Sequence, residues 1–302
     1  MKYRFFEIIH LNITPPPTKS KMIFRCVTWD GHKVKILSEF LASNIKSASL
    51  VVDQKGIHMT MTDQPCKTLV NLTLEAENFK RFDLYEERII LGLNLSKLNQ
   101  ALRCINKRDS LELFIDKDDR HHLNIRTLPR DGSRNTVSSI VIQDLQSIKT
   151  VLPEGYARPV VVPSINFQKM CKELANVGSP SIEVRSRGQL VEFIANSDNV
   201  IKSVISLGED DDIPGLDTIG GSDSHKPNPN PDFSSTYTTD QFTRIIKISG
   251  LGENLKIYPG TAKLPMMFRT DIGSLGSISV YIKSKELSET GTNNSLDYDS
   301  DE

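Results

Sequence analysis

Eight basic side chains, Lys33, Lys35, Lys97, Arg103, Lys169, Lys172, Arg244 and Lys247, fall on the polar faces of four short helical segments, two to a segment. Lys and Arg so placed suit one kind of chemistry: charge-assisted, sequence-independent contact with phosphate. Any one of these helices reads as well as an ordinary solvated face. Recurrence on all four favours a shared charged surface. Catalysis has no comparable signal. His121 and His122 sit among Asp118, Asp119 and Arg120 in an expected hairpin turn, which a solvated turn explains better than a metal or acid/base site. The chain has no GxSxG, HExxH, phosphate-cradling glycine loop or spaced carboxylate pair, so no catalytic residue, metal or cofactor is expected. Cys26, Cys66, Cys104 and Cys171 lie far apart, with no CxxC pair, and are expected to be reduced core thiols.

The elements that must position these cations come as a repeat. A basic helix over residues 33–46 precedes a hairpin over 50–62, and the unit recurs as 96–105 with strands 110–115 and 122–128. A third copy is 164–177 with strands 182–186 and 190–195, and a fourth begins near Thr238, with strands 254–258 and 266–270. The helices space their apolar residues three or four apart: Val34, Leu37 and Leu41, then Leu98 and Leu102, then Phe167, Met170 and Leu174. The strands alternate, as in Ser181-Ile182-Glu183-Val184-Arg185, so one sheet face is apolar. Ser164 is expected to cap the third helix, Thr238 with Gln241 to form a capping box, and Gly178 and Gly250 to end helices.

A chain of 302 residues with 38% hydrophobic residues can bury a core and divides naturally in two. Net charge is −1, so a polyanion-binding surface requires its acids elsewhere; they cluster at 209–212 and 297–302. Residues 1–21, closing on Pro15-Pro16-Pro17, read as an extension. One domain then spans 22–142, an apolar connecting loop 143–155, and a second domain 156–285, interrupted by a flexible insert at 209–233 rich in Pro, Gly and Asp. Residues 286–302 read as a disordered acidic tail. The apolar run 5–13 carries Glu7 and His10 and is too short to cross a bilayer, so no membrane association is expected.

The chain resembles the proliferating cell nuclear antigen family of DNA sliding clamps. The resemblance rests on residues 56–63, then Leu69-Val70-Asn71-Leu72-Thr73-Leu74 and Phe79, and Gly92-Leu93-Asn94-Leu95 leading into the second helix. It continues with Leu152-Pro153-Glu154 to Tyr156, and Pro163-Ser164 with Phe167, Cys171, Leu174 and Gly178, in order and at the family's spacing over about residues 22–285. It implies an α+β DNA clamp fold: two similar domains, each with two helices packed on antiparallel sheets, closing into a trimeric ring. Two strands, 137–142 and 200–207, look like edges in need of partners. Head-to-tail pairing through Val137, Ile140, Ile142, Val200, Ile201 and Val204 would close the ring.

By the same resemblance, Lys35, Arg103, Lys169, Lys172 and Lys247 fall where the family points cations at the duplex in the central hole. Leu69, Val151, Leu152, Pro153, Pro265 and Tyr281 match its pocket for short client peptides, though Leu69 also reads as core and the prolines as turns. The expected function is a DNA polymerase processivity factor, with double-stranded DNA, DNA polymerase and other clamp-binding proteins, a clamp loader and two further copies of itself as partners. It would work in a nucleus, or at a cytoplasmic replication site if viral. Thr62, Lys283-Ser284-Lys285, Gln100, Asn176, Arg187 and the long insert depart from the family pattern, a drift that suits a large DNA virus or a divergent eukaryote. The alternatives are a subunit of a heterotrimeric checkpoint clamp, a clamp-like viral transcription factor and, from another class, an enzyme.

Overall fold

The computed structural model describes residues 22–130, 132, 136–145, 150–197, 200–208 and 232–293. The expected N-terminal extension lies outside these residues, as do 146–149 of the connecting loop, 209–231 of the insert and 294–302 of the tail.

The first half runs β1 (Met22–Thr28), α1 (Gly31–Asn44), β2 (Ser47–Asp53), β3 (Gly56–Thr62), β4 (Thr68–Glu75), β5 (Arg81–Leu84), β6 (Arg88–Asn94), α2 (Leu95–Leu102), β7 (Ser110–Asp116), β8 (His122–Leu128) and β9 (Thr136–Val141). The second runs β10 (Val160–Pro163), α3 (Ser164–Asn176), β11 (Ser181–Arg187), β12 (Leu190–Ser197), β13 (Ile201–Gly208), β14 (Phe233–Thr238), α4 (Thr239–Ile245), a 3-10 turn (Ile246–Gly250), β15 (Asn254–Tyr258), β16 (Met266–Asp271), β17 (Gly276–Ile282) and α5 (Lys285–Asn293). All four repeats occur, each within a few residues of its expected place.

Every sheet is antiparallel. One has the order β5-β1-β7-β8-β9, another β13-β12-β11-β14, and the third runs through both halves as β10-β15-β16-β17-β4-β3-β2-β6. In the third, β4 pairs with β17 from Thr68↔Ile282 to Leu74↔Gly276, so the first and last parts of the fold share a sheet and one continuous core.

Alternation explains the sheets: in β4 Val70, Leu72 and Leu74 turn inward, and in β11 Ile182 and Val184 do so while Arg185 stays exposed. The helix spacing likewise buries Phe167, Met170 and Leu174. Phe167 meets Phe268 with ring centroids 5.2 Å apart, and Phe242 meets the same ring at 6.3 Å, so α3, α4 and β16 share one aromatic cluster. Complete burial of each such ring contributes roughly 1.5–3 kcal/mol.

Local signals held unevenly. The Thr238 N–H donates to Gln241 Oε1 at 2.9 Å, completing the expected capping box, and Gly178 adopts φ 74° after α3. Ser164, however, is the first residue of α3 and caps nothing. Its hydroxyl is buried without a partner, because its N–H is drawn to Glu253 O at 2.8 Å and the chain enters the helix from Pro163. Residues 286–293, expected to be disordered tail, instead lie in α5, which Ser284 starts by accepting from the Leu287 N–H at 3.1 Å. Among the cysteines only Cys26 and Cys171 are core. Cys66 and Cys104 are exposed, since each falls in a turn between elements and not on an inward strand or helix face; all four are free thiols.

Candidate nucleic-acid interface and partner pocket

The four basic helices form one contiguous row: α2 packs on α1, α1 on α4 and the 3-10 turn, and these on α3. Each helix is oriented by its apolar stripe. Leu95, Leu98 and Leu102 bury one face of α2 and leave Lys97 and Arg103 exposed; Phe167, Met170 and Leu174 do the same for Lys169 and Lys172. Asn94 fixes the start of α2, its Oδ1 accepting from the Lys97 N–H at 3.1 Å.

The eight cations divide into two sets. Lys33 Nζ donates to Gly250 O at 2.9 Å, and Lys35 Nζ donates to Arg103 O at 2.8 Å and Ile105 O at 3.0 Å, so both satisfy carbonyls where a neighbouring helical segment ends. Arg244 is paired with Asp240, and Lys247 with Glu39 at 3.1 Å. Lys97, Arg103, Lys169 and Lys172 are exposed and have no carboxylate partner among the described residues. Lys169 and Lys172 stand three apart on one helical face, a like-charge spacing that weakens an isolated helix by a few tenths of a kcal/mol.

Sequence reasoning missed a contributor. His32 has its pKa lowered, first by partial burial and then by the fields of Lys35, Lys107 and Lys33, so Lys107 adds to the positive potential beside α1. Lys107 comes five residues after the end of α2 and lies in a turn, where helix periodicity has no signal.

The expected subunit-contact strands are both sheet edges: β9 closes one sheet and β13 another. Val137, Val200, Ile201 and Val204 are exposed there, as is Val141. Ile140 instead packs into the hydrophobic core and Ile142 is half-buried, because the pleat turns alternate residues of β9 inward.

Five of the six expected pocket residues come together. Leu69, Val151, Pro153, Pro265 and Tyr281 line one open cavity of about 580 Å³ beside the connecting loop, whereas Leu152 does not line it. Tyr156 braces the wall, its hydroxyl donating to Pro265 O at 2.9 Å and its ring 6.2 Å from that of Tyr281. Burial holds both phenols above their ordinary pKa. Thr62, Cys66, Lys67, Lys263, Lys283 and Leu287 also line it. Of these, Thr62 and Lys283 stand out in sequence as departures from the family pattern; the others come from turns and from α5.

His122 Nδ1 lies 2.8 Å from Asp119 in an exposed turn, and no cluster of three or more metal-ligating residues occurs among the described residues.

These sheets, with a continuous helical row beside them, are the architecture of the sliding clamps. The crystal structure of Proliferating Cellular Nuclear Antigen from Entamoeba histolytica superposes with a TM-score of 0.73, covering 87% of this chain and 99% of that one at 19% identity. Residues 30–147 match the family model for the proliferating cell nuclear antigen N-terminal domain. A probable DNA polymerase sliding clamp of Paramecium bursaria Chlorella virus 1 is 23% identical, with 86% of this chain and 96% of that protein covered. The proliferating cell nuclear antigen of Dictyostelium discoideum is 22% identical over 60% of this chain and 70% of its own length. A probable clamp of Acanthamoeba polyphaga mimivirus is 27% identical over 47% of this chain and 31% of its own. Residues 30–147 thus match the family's N-terminal domain, and the chain as a whole shares the fold of its members.

Proposed function

We propose that this protein is a DNA polymerase sliding clamp: a homotrimeric ring that encircles duplex DNA without sequence specificity and tethers polymerase and other replication or repair proteins. The observation that carries this reading is the contiguous helical row with four exposed cations, Lys97, Arg103, Lys169 and Lys172, that have no carboxylate partner among the described residues. Contacts from such groups to phosphate are salt-sensitive and carry no sequence information. If closure of the ring retains the DNA, the contacts can stay weak, and weak contacts allow sliding.

Pairing of β9 of one subunit with β13 of the next would extend two sheets into one and remove two open edges per junction. Clients would dock an extended peptide with apolar anchors into the cavity lined by Leu69, Val151, Pro153, Pro265 and Tyr281. A loader would be needed to open a closed ring, and the protein would act where DNA is copied, in a nucleus or at a cytoplasmic viral replication site.

Primer extension on a circular template tests the interface. The double reversal K169E/K172E is expected to shorten clamp-dependent products several-fold at moderate salt while leaving the melting temperature unchanged, both residues being exposed. Unaltered product length would remove Lys169 and Lys172 from the DNA-facing surface.

A further inference from the structure

We infer that the pocket beside the connecting loop selects client peptides whose apolar anchors are flanked by carboxylates; this rests on the reading of that cavity as a peptide site. Three exposed lysines, Lys67, Lys263 and Lys283, stand on its wall, and no carboxylate lines it among the described residues. None of the three ammonium groups has an ionic partner among the described residues. The chain as a whole is close to neutral, so this is a local concentration of charge.

The arrangement is built in by the backbone. The Lys283 N–H donates to Lys67 O at 2.9 Å, which sets two cations side by side where β4 and β17 adjoin, and like charges in adjacent strand positions repel. Lys263 is held in a turn in which Thr261 Oγ1 accepts from the Lys263 and Leu264 N–H groups at 3.3 and 3.1 Å. The acid nearest Lys67 in sequence, Asp63, is buried and already accepts from the Lys67 and Thr68 N–H groups, both at 2.8 Å, and Glu286, three positions from Lys283, is turned to the Thr236 N–H at 3.1 Å. An incoming peptide with Asp or Glu beside its apolar anchors would neutralise all three cations; one with Lys or Arg there would add to the repulsion.

Fluorescence anisotropy on the full-length protein tests this with two synthetic peptides that share the same apolar and aromatic anchors, one flanked by Asp and Glu, the other by Lys and Arg. The acidic peptide is expected to bind about tenfold more tightly at low salt, since exposed ion pairs are individually weak, and its advantage is expected to shrink as salt is added. The charge-reversed variant K67E/K263E/K283E is expected to invert the preference, and the neutral variant K67Q/K263Q/K283Q to abolish it, each with an unchanged melting temperature. Equal binding of the two peptides, or preference for the basic one, overturns the inference and leaves the peptide pocket standing. Failure of both to bind overturns the pocket and the inference together. Displacement of the acidic probe by a peptide of residues 294–302 would assign the pocket to this chain's own acidic terminus and overturn the partner reading.

Discussion

Lys33 shows how a basic helical side chain is diverted from a ligand to the fold. Its ammonium group reaches Gly250 O, 217 positions away, and ties α1 to the end of the 3-10 turn in the other half. Replacing it with Met is expected to lower stability by about 1 kcal/mol, the usual net worth of such a bond, with little effect on DNA retention. Thermal unfolding beside a salt-dependent DNA-binding assay separates the two effects. Lys169 and Lys172 should behave in the opposite way. Glu112 makes the same point for acids. Its carboxylate is buried between β1 and β8, held by Arg25 and by Arg126 at 2.6 Å. Glu112→Ala is expected to cost about 2 kcal/mol in chemical denaturation, because two half-buried guanidinium groups lose their shared acceptor. The sequence shows Lys33 on a polar helix face and Glu112 between Leu111 and Leu113 of a strand, where alternation reads it as outward; it gives no sign of the Gly250 carbonyl or of Arg25, which lie in distant segments.

At the scale of elements, the sheet β13-β12-β11-β14 carries a titration that can be observed. Tyr237 on β14 is 1% exposed, and burial pushes its phenol up to about 12, opposed only in part by the hydrogen bond from Ser235 Oγ at 3.1 Å. A raised value means that the folded state holds the proton more tightly than the unfolded chain does. Its contribution is therefore complete below pH 10, and is lost as pH climbs from there towards 12. Stability measured by urea denaturation is expected to fall across that window, and less steeply in Tyr237→Phe. An identical slope in the variant would assign the alkaline loss to other phenols, such as Tyr156 and Tyr281, whose pKa values burial also raises. Helix α5 is the element that sequence reasoning lost. Only Leu287 among its first residues is apolar, so it has almost no periodic stripe, and it depends on tertiary contacts: Leu287 at the pocket wall and the Glu286 carboxylate accepting from the Thr236 N–H at 3.1 Å.

For the whole molecule, the decisive features are a sheet shared by both halves and two edge strands, β9 and β13, that carry exposed valines. Light scattering on the purified protein is expected to give a trimer. Val204→Lys, at an exposed position on β13, is expected to shift it towards monomer without loss of melting temperature, because an edge lysine opposes strand addition. A stable monomer for the unaltered protein would contradict closure by a single kind of chain. The edges themselves were legible, because alternating strands with apolar outward residues, such as Val137 and Val204, are conspicuous in sequence. Their inward residues were harder to separate: Ile140 looks as fit for a partner as Val137, and only the pleat of β9 against β8 turns it into the core.

By itself, the sequence determined the repeat, the helix and strand periods, the order of the family's signature segments and the types of residue offered to phosphate. These are local properties, carried by spacings of two to four residues or by short runs. The tertiary structure decided which of those residues remain available. Packing α1 against the 3-10 turn and α2 engages Lys33 and Lys35 with carbonyls, and pairing β4 with β17 brings Lys67 beside Lys283. Such outcomes depend on contacts between segments up to about two hundred positions apart, which no local pattern encodes.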